Sequence, residues 1–221
     1  MIKKNKLLLI FFFIVFSTFN SNVQKQNFSI IFPIKNIIIE NTLAVDLIKL
    51  KSELESLKNT SLFFLNENKI VDIVEKHDFI SNAQLKKKFP STLKIFISEN
   101  IPVATEIDDK RKYYLTKEGK KINYIELQAF ENLPVIFGKH KNFSFFYNKL
   151  TKSNFNINKI KAFYYFDIGR WDIVLKDERI IKLPNTNYEV ILKEIDSNLN
   201  NSSFSKYKIF DHRIKDQLIL Q

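Results

Sequence analysis

Residues 7–19 form an almost unbroken apolar run, preceded by Lys3, Lys4 and Lys6. Positive charge ahead of an apolar segment predicts an N-terminus held in the cytoplasm. The run is short for a spanning helix and close to the core of a signal peptide. Val15 and Ser17 make only a weak cleavage signal, while Lys6 and Lys25 could snorkel from a segment over residues 7–23. A retained anchor and a cleaved signal both fit, and either exports the rest of the chain. Residues 24–31 read as a linker, polar at its start.

The next seventy residues change period several times. Ile34 and Ile37-Ile38-Ile39 are a β-branched run that predicts a strand, closed by Asn41, with Thr42 placed to cap a helix. Leu43, Leu47, Leu50, Leu54 and Leu57 recur at steps of four and three, the stripe of an amphipathic helix. Asn59-Thr60-Ser61 breaks it, and Leu62-Phe63-Phe64-Leu65 reads as a buried connector. A second helix is expected from about Glu67, burying Ile70, Ile73 and Val74. Two alternating runs come next, Ala83, Leu85 and Phe89 and then Leu93, Ile95 and Ile97, with a turn at Pro90-Ser91. The order is strand, helix, helix, strand, strand. Two helices can cover one face of a three-stranded sheet and leave an edge available.

The remainder is richer in strand signals. Tyr113–Thr116 enters a turn at Gly119 and Lys120-Lys121-Ile122 leaves it. A helix is expected over residues 143–150 and an aromatic strand over 159–166. Ile173, Val174 and Leu175 lead into a turn over residues 176–179, and Ile180, Ile181 and Leu183 return. Tyr188, Ile191, Leu192 and Ile195 have helical spacing, and residues 207–220 read as a closing strand. The expected class is α+β: an N-terminal apolar helix, anchor or signal, then a βααββ unit over residues 32–101 and a mostly antiparallel β domain with flanking helices over 102–221; the resemblance described below makes the first a retained membrane helix.

Composition narrows the chemistry. The 221 residues include 22 Phe, 3 Gly and no Cys. Gly119, Gly138 and Gly169 lie too far apart for a phosphate-binding loop. Without Cys there is no disulfide, thiol nucleophile or Cys-type metal site. His77, His140 and His212 lack metal-ligand spacing, and no nucleophile elbow is present. No catalytic residue, metal or cofactor is predicted. The net charge of +11 suits nucleic acid, anionic lipid or an acidic partner. No nucleic-acid motif accompanies it, and lysines on solvated faces explain it as well.

Several stretches resemble the FtsQ/DivIB family of bacterial division proteins and its POTRA domain. In the βααββ unit they are Ile37-x-Ile39-x-Asn41, residues 61–66, His77-Asp78-Phe79-Ile80-x-x-Ala83, Lys88-Phe89-Pro90-x-Thr92-Leu93-x-Ile95, and Glu99-Asn100-x-Pro102-x-Ala104. Asn41 stands where the family usually has Gly, Phe79 and Phe89 where Trp is common, and Asn100 where Arg is common. Later come the hairpin around Gly119, Leu133-Pro134-x-Ile136-x-Gly138, Arg170-Trp171 with its hairpin (lacking the turn Gly), and Phe210-Asp211-x-Arg213. Matching is poor over residues 123–132 and 139–158.

The resemblance implies a single-pass inner-membrane protein at the division septum. It would have a cytoplasmic tail over residues 1–6, an anchor over 7–23 and two periplasmic domains. It also implies non-enzymatic scaffolding with FtsB-like and FtsL-like partners, which would help control septal peptidoglycan synthesis. A C-terminal strand at a sheet edge can recruit an extended segment. Ile214, Leu218 and Leu220 would give selectivity, Ile219 would join the partner-binding strand, Arg170 would lie near the partner surface, and Arg213 would meet a partner carboxylate. Trp171 reads either as a core anchor or as part of that surface. Asn82, Leu85 and Lys87 are candidates for recruiting other division proteins through the POTRA unit. Two alternatives remain: a POTRA-bearing envelope assembly or secretion factor, which would need repeated units or a barrel, and an exported basic polymer binder.

Overall fold

The computed structural model describes residues 2–17, 31–153 and 155–221. Helix α1 spans Ile2–Ser17, and its apolar side chains from Leu8 to Phe16 are exposed. Among the described residues, no helix is long and apolar enough to cross a membrane. Residues 18–23 of the expected anchor, and 24–30 of the linker, lie outside the described residues.

Two compact units divide the chain. One holds Met1–Glu40, Leu47–Ile73 and Gln84–Phe96; the other holds Asn41–Asp46, Val74–Ala83 and Ile97–Gln221. The expected strand order appears as β1 (Asn36–Glu40), α2 (Leu47–Leu54), α3 (Glu67–Val74), β2 (Ile80–Lys88) and β3 (Thr92–Glu99). The sheet order is β1-β3-β2, and β1 runs parallel to β3, from Asn36 opposite Thr92 to Glu40 opposite Phe96. Period two buries Leu93, Ile95 and Ile97, while helical spacing buries Leu50, Leu54, Ile70 and Val74.

Three expectations here are corrected. Leu43 is exposed and off the helix, which starts only at Leu47. The Glu99 carboxylate takes the backbone N–H groups of Leu43, Ala44 and Val45 at 2.9–3.0 Å, holding a loop where a first helical turn was expected. Leu62 is buried, but Phe63 and Phe64 are exposed. Ser61 pairs with Pro33, and its hydroxyl accepts the Phe64 N–H at 3.3 Å, so the chain turns and both rings point out. Phe89 is exposed as well, because β2 ends at Lys88 and the ring sits edge-on to Phe32 at 5.1 Å.

Backbone geometry explains several quoted motifs. Asn41 has φ +66°, the left-handed region where Asn substitutes best for Gly. The Asn100 side chain donates to the carbonyls of Asp78 and Ile80 at 2.9 and 3.0 Å. Glu178 takes φ +70° in the turn that lacks Gly. At Gly138, a Cβ would lie 2.3 Å from the Tyr165 carbonyl oxygen, so no other residue fits without backbone movement.

The larger unit carries a nine-stranded sheet. Its further elements are β4 (Pro102–Asp108), β5 (Arg111–Thr116), β6 (Lys121–Asn123), β7 (Val135–Phe137), α4 (Phe143–Lys152), β8 (Ile160–Phe166), β9 (Arg170–Leu175), β10 (Ile180–Lys182), α5 (Glu189–Asn200), β11 (Ile209–Asp211) and β12 (Ile219–Leu220). The order is β12-β11-β10-β9-β8-β7-β4-β5-β6. β4–β7, β7–β8 and β10–β11 are parallel and the other neighbours antiparallel. Phe143, Phe146 and Leu150 of α4 and Leu192, Ile195 and Leu199 of α5 join one core with Phe163, Trp171, Ile173, Ile181 and Phe210.

The expected closing strand over 207–220 is two short strands instead. Asp211 accepts the Arg213 N–H at 3.0 Å, which turns the chain out of β11, and Asp216 takes φ +58° before β12 returns.

Glu99→Ala removes one acceptor shared by three backbone donors. We expect it to destabilise the protein by about 1–3 kcal/mol in urea unfolding. Glu99→Gln, which keeps an acceptor, should lose less.

Candidate partner-binding edge

Strand register places two rows of side chains on opposite faces of the sheet. Ile136, Phe163, Ile173, Ile181, Phe210 and Leu220 stand opposite one another across β7-β8-β9-β10-β11-β12. The first five are at most 1% exposed, and Leu220 packs against the same core. One residue along, the other row is Phe137, Tyr164, Asp172, Lys182, Asp211 and Ile219. Its middle is ionic and its ends are apolar and exposed, Ile219 at 38%.

Two ion pairs flank the middle of that row. Arg170 Nε lies 3.2 Å from Asp172 Oδ1, yet neither atom makes a hydrogen bond of good geometry. Arg170 is mostly covered, its guanidinium 4.1 Å from the Phe166 ring centroid. Burial pushes the Asp172 carboxyl above the usual carboxylate range, and Arg170 only partly opposes this. The Asp211–Arg213 pair behaves oppositely. Arg213 Nε and Nη2 donate to both carboxylate oxygens at 2.6–3.0 Å, and those bonds hold Asp211 below its usual range. His212, turned the other way, is pushed down by burial.

The sheet has two ends. At β6, Asn123 Nδ2 donates to Asp78 Oδ2 at 2.6 Å, and the Asn123 backbone N–H approaches the same oxygen at 3.4 Å. At β12 the ladder continues to Gln221, which exchanges both backbone hydrogen bonds with Ile209, at 2.9 and 3.1 Å. In an antiparallel ladder, successive residues direct their N–H and C=O groups to alternate sides. Ile219 and Gln221 therefore face β11, and Leu220 turns its backbone N–H and C=O to the open side.

The expected site residues separate accordingly. Ile219, Leu220 and Leu218 lie at or beside the open edge, with Leu218 and Leu220 packed inward and Ile219 outward. Ile214 is 51% exposed in the loop between β11 and β12. Arg213 is off the strand, and its side chain is 44% exposed despite its grip on Asp211. Trp171 is 4% exposed and stacks on Phe146 at 4.6 Å, a core position from which it can only support Arg170 and Asp172. Asn82, Leu85 and Lys87 lie in the other sheet, on its end strand β2; Lys87 is 3.2 Å from Glu67.

Sequence reasoning missed Asp172 and Lys182 as the bridge between the two arginines. Asp172 is two residues from Arg170, the strand period that signals a shared face. Among the described residues, no group of three His, Asp or Glu is placed to hold a metal ion.

The two aspartates make opposite predictions. The raised Asp172 disfavours its charge in the fold, a cost present above its folded pKa and relieved as pH falls. Asp172→Asn should therefore leave the neutral-pH melting temperature unchanged or raised, with any gain vanishing in acid. Asp211 is lowered, so its contribution is present above the usual carboxylate range and lost as pH falls through its folded value. Asp211→Asn should lower the melting temperature at neutral pH and have little effect in acid, as thermal melts at both pH values will show.

Residues 32–100 match the family model of the FtsQ-type POTRA domain. The cell division protein FtsQ of Rickettsia typhi is 29% identical over 205 residues, covering 91% of this chain and 77% of that protein. FtsQ of Rickettsia bellii is 29% identical over 209 residues, 93% of this chain and 78% of that protein. FtsQ of Rickettsia prowazekii is 28% identical over 205 residues, with 91% and 76% covered. The matches run through both the βααββ unit and the nine-stranded sheet, so the chain carries an FtsQ-type POTRA domain and is similar to FtsQ cell division proteins over nine-tenths of its length.

Proposed function

We propose that this chain is a non-enzymatic scaffold of the division machinery that captures an FtsB-like partner, itself held with an FtsL-like one, on the open edge of β12. The division role rests on the family. The binding mode rests on one observation: Leu220 presents an unpaired N–H and C=O at the end of a sheet whose opposite end is engaged by Asp78. An extended partner segment would add a tenth strand, its main chain bonded to Leu220. Its apolar side chains would meet Ile219 and Ile214, and a carboxylate would meet Arg213. Arg170, Asp172 and Lys182 would set the charge of the face beneath.

The topology belongs to the same proposal. Lys3, Lys4 and Lys6 favour a cytoplasmic N-terminus, and the apolar run ends at Phe19, with Asn20, Ser21 and Asn22 suited to the interface before Val23. With residues 7–23 as an inner-membrane anchor, both folded units lie in the periplasm, at the septum. The POTRA strand β2, with Asn82, Leu85 and Lys87, is a second open edge through which other division proteins would be recruited.

The test is binding of the detergent-solubilised full chain to the periplasmic segment of the FtsB-like protein from the same genome. Leu220→Pro removes the outward N–H while sparing the bonds of Ile219 and Gln221 to β11. It should weaken binding at least about tenfold, roughly the loss of one well-made hydrogen bond to a buried partner. Equal binding by both proteins would move the interface elsewhere. Affinity that collapses between about 50 and 200 mM salt would instead indicate a polymer binder.

A further inference from the structure

Five exposed apolar side chains lie on segments that backbone pairing and ring contacts bring together: residues 31–33, 61–64 and Phe89. Ile31, Phe32, Phe63, Phe64 and Phe89 are 43%, 41%, 58%, 66% and 51% exposed. They are joined by backbone as well as by rings. The Leu62 N–H donates to the Phe32 carbonyl at 2.8 Å, and the Ser61 hydroxyl donates to the Ile31 carbonyl at 2.6 Å. Phe32 packs edge-on to Phe89, and Phe63 packs edge-on to Phe64 at 4.9 Å. The four phenylalanines lie within the match to the FtsQ-type POTRA domain, yet their exposure contributes nothing to its core. Exposed aromatic pairs on neighbouring paired segments are the composition of an interaction surface.

Lysines stand beside it. Lys69 lines the same hollow as Phe64, and Lys86, Lys87 and Lys88 lead directly into Phe89. Lys87 is 3.2 Å from Glu67, which ties the end of β2 to the start of α3, three residues beyond Phe64. Apolar rings bordered by lysines are the composition of a membrane-interface contact, with rings in the acyl boundary and ammonium groups among anionic headgroups.

The chain's own layout says which surface is near. With the anchor ending at Val23, seven residues separate it from Ile31. Fully extended they reach at most about 25 Å. The patch is thus tethered within a few nanometres of a bilayer, at high effective concentration. We propose that this patch docks the POTRA unit on the outer leaflet of the anchoring membrane, binding anionic lipid through Phe32, Phe63, Phe64 and Phe89. This rests on the anchor proposed above.

The chain has no cysteine, so a single introduced thiol reports alone. Ser56, exposed and lining the hollow with Phe64, is the labelling site. Full-length Ser56→Cys carrying a fluorophore is reconstituted into phosphatidylglycerol–phosphatidylethanolamine vesicles doped with nitroxide-headgroup lipid. Flotation with the vesicles reports the anchor, and quenching of the fluorophore reports the docked patch. We expect flotation together with strong quenching, reduced several-fold by adding Phe63→Ser and Phe64→Ser and retained by Phe64→Trp. Thermal melts confirm that the variants fold. Flotation without quenching, or quenching equal in the serine variant, overturns the docking and leaves the anchor standing. Failure to float overturns both.

Discussion

Ile181 has no exposed surface and stands between Ile173 and Phe210 on the neighbouring strands. That row cannot slip by one residue, because a slip would carry Lys182, Asp172 and Asp211 into the core in its place. Burying them unpaired would cost far more than any local gain. The register of the last five strands is therefore fixed from inside. Their outer face is fixed with it, and so is the direction in which Leu220 presents its backbone. The candidate binding edge follows from core packing two strands away.

The same constraint sorts the charges. Asp211 is satisfied by its neighbour Arg213, and the pair ends β11 while leaving the arginine partly exposed. Asp172 and Arg170 lie close but poorly aligned, on a face covered enough to raise the aspartate's pKa. A strand laid along β12 would change the dielectric around Asp211 and Arg213 first. The proposed capture of a partner strand calls for one edge left open, while at the other end of the sheet Asp78, from the POTRA sequence, engages Asn123 of β6.

Much of this fold was legible in the chain. The alternation of Leu93, Ile95 and Ile97 and the four-and-three spacing of Leu47, Leu50, Leu54 and Leu57 are local signals. The structure reproduces them apart from the first turn at Leu43. The failures share a cause, namely partners distant in sequence or a single side chain that redirects the backbone. Glu99 takes N–H groups more than fifty residues earlier, so no local pattern announces that Leu43 lies outside the helix. The Ser61 turn exposes Phe63 and Phe64 although their hydrophobicity reads as burial. Asp211 breaks the closing strand through one hydrogen bond to Arg213. At the site, the edge position of the chain's end was a fair expectation, whereas the assignment of Trp171 to the core and the capping of β6 needed three dimensions.

Amide hydrogen exchange at Leu220, followed residue by residue with and without the FtsB-like segment, tests the central claim most directly. In the free protein Leu220 should exchange quickly, while Ile219, bonded to β11, is already protected. Binding should slow Leu220 and leave Asn123 of β6 unchanged. Protection that leaves Leu220 fast, or that appears at β6 instead, would contradict capture by the open edge of β12.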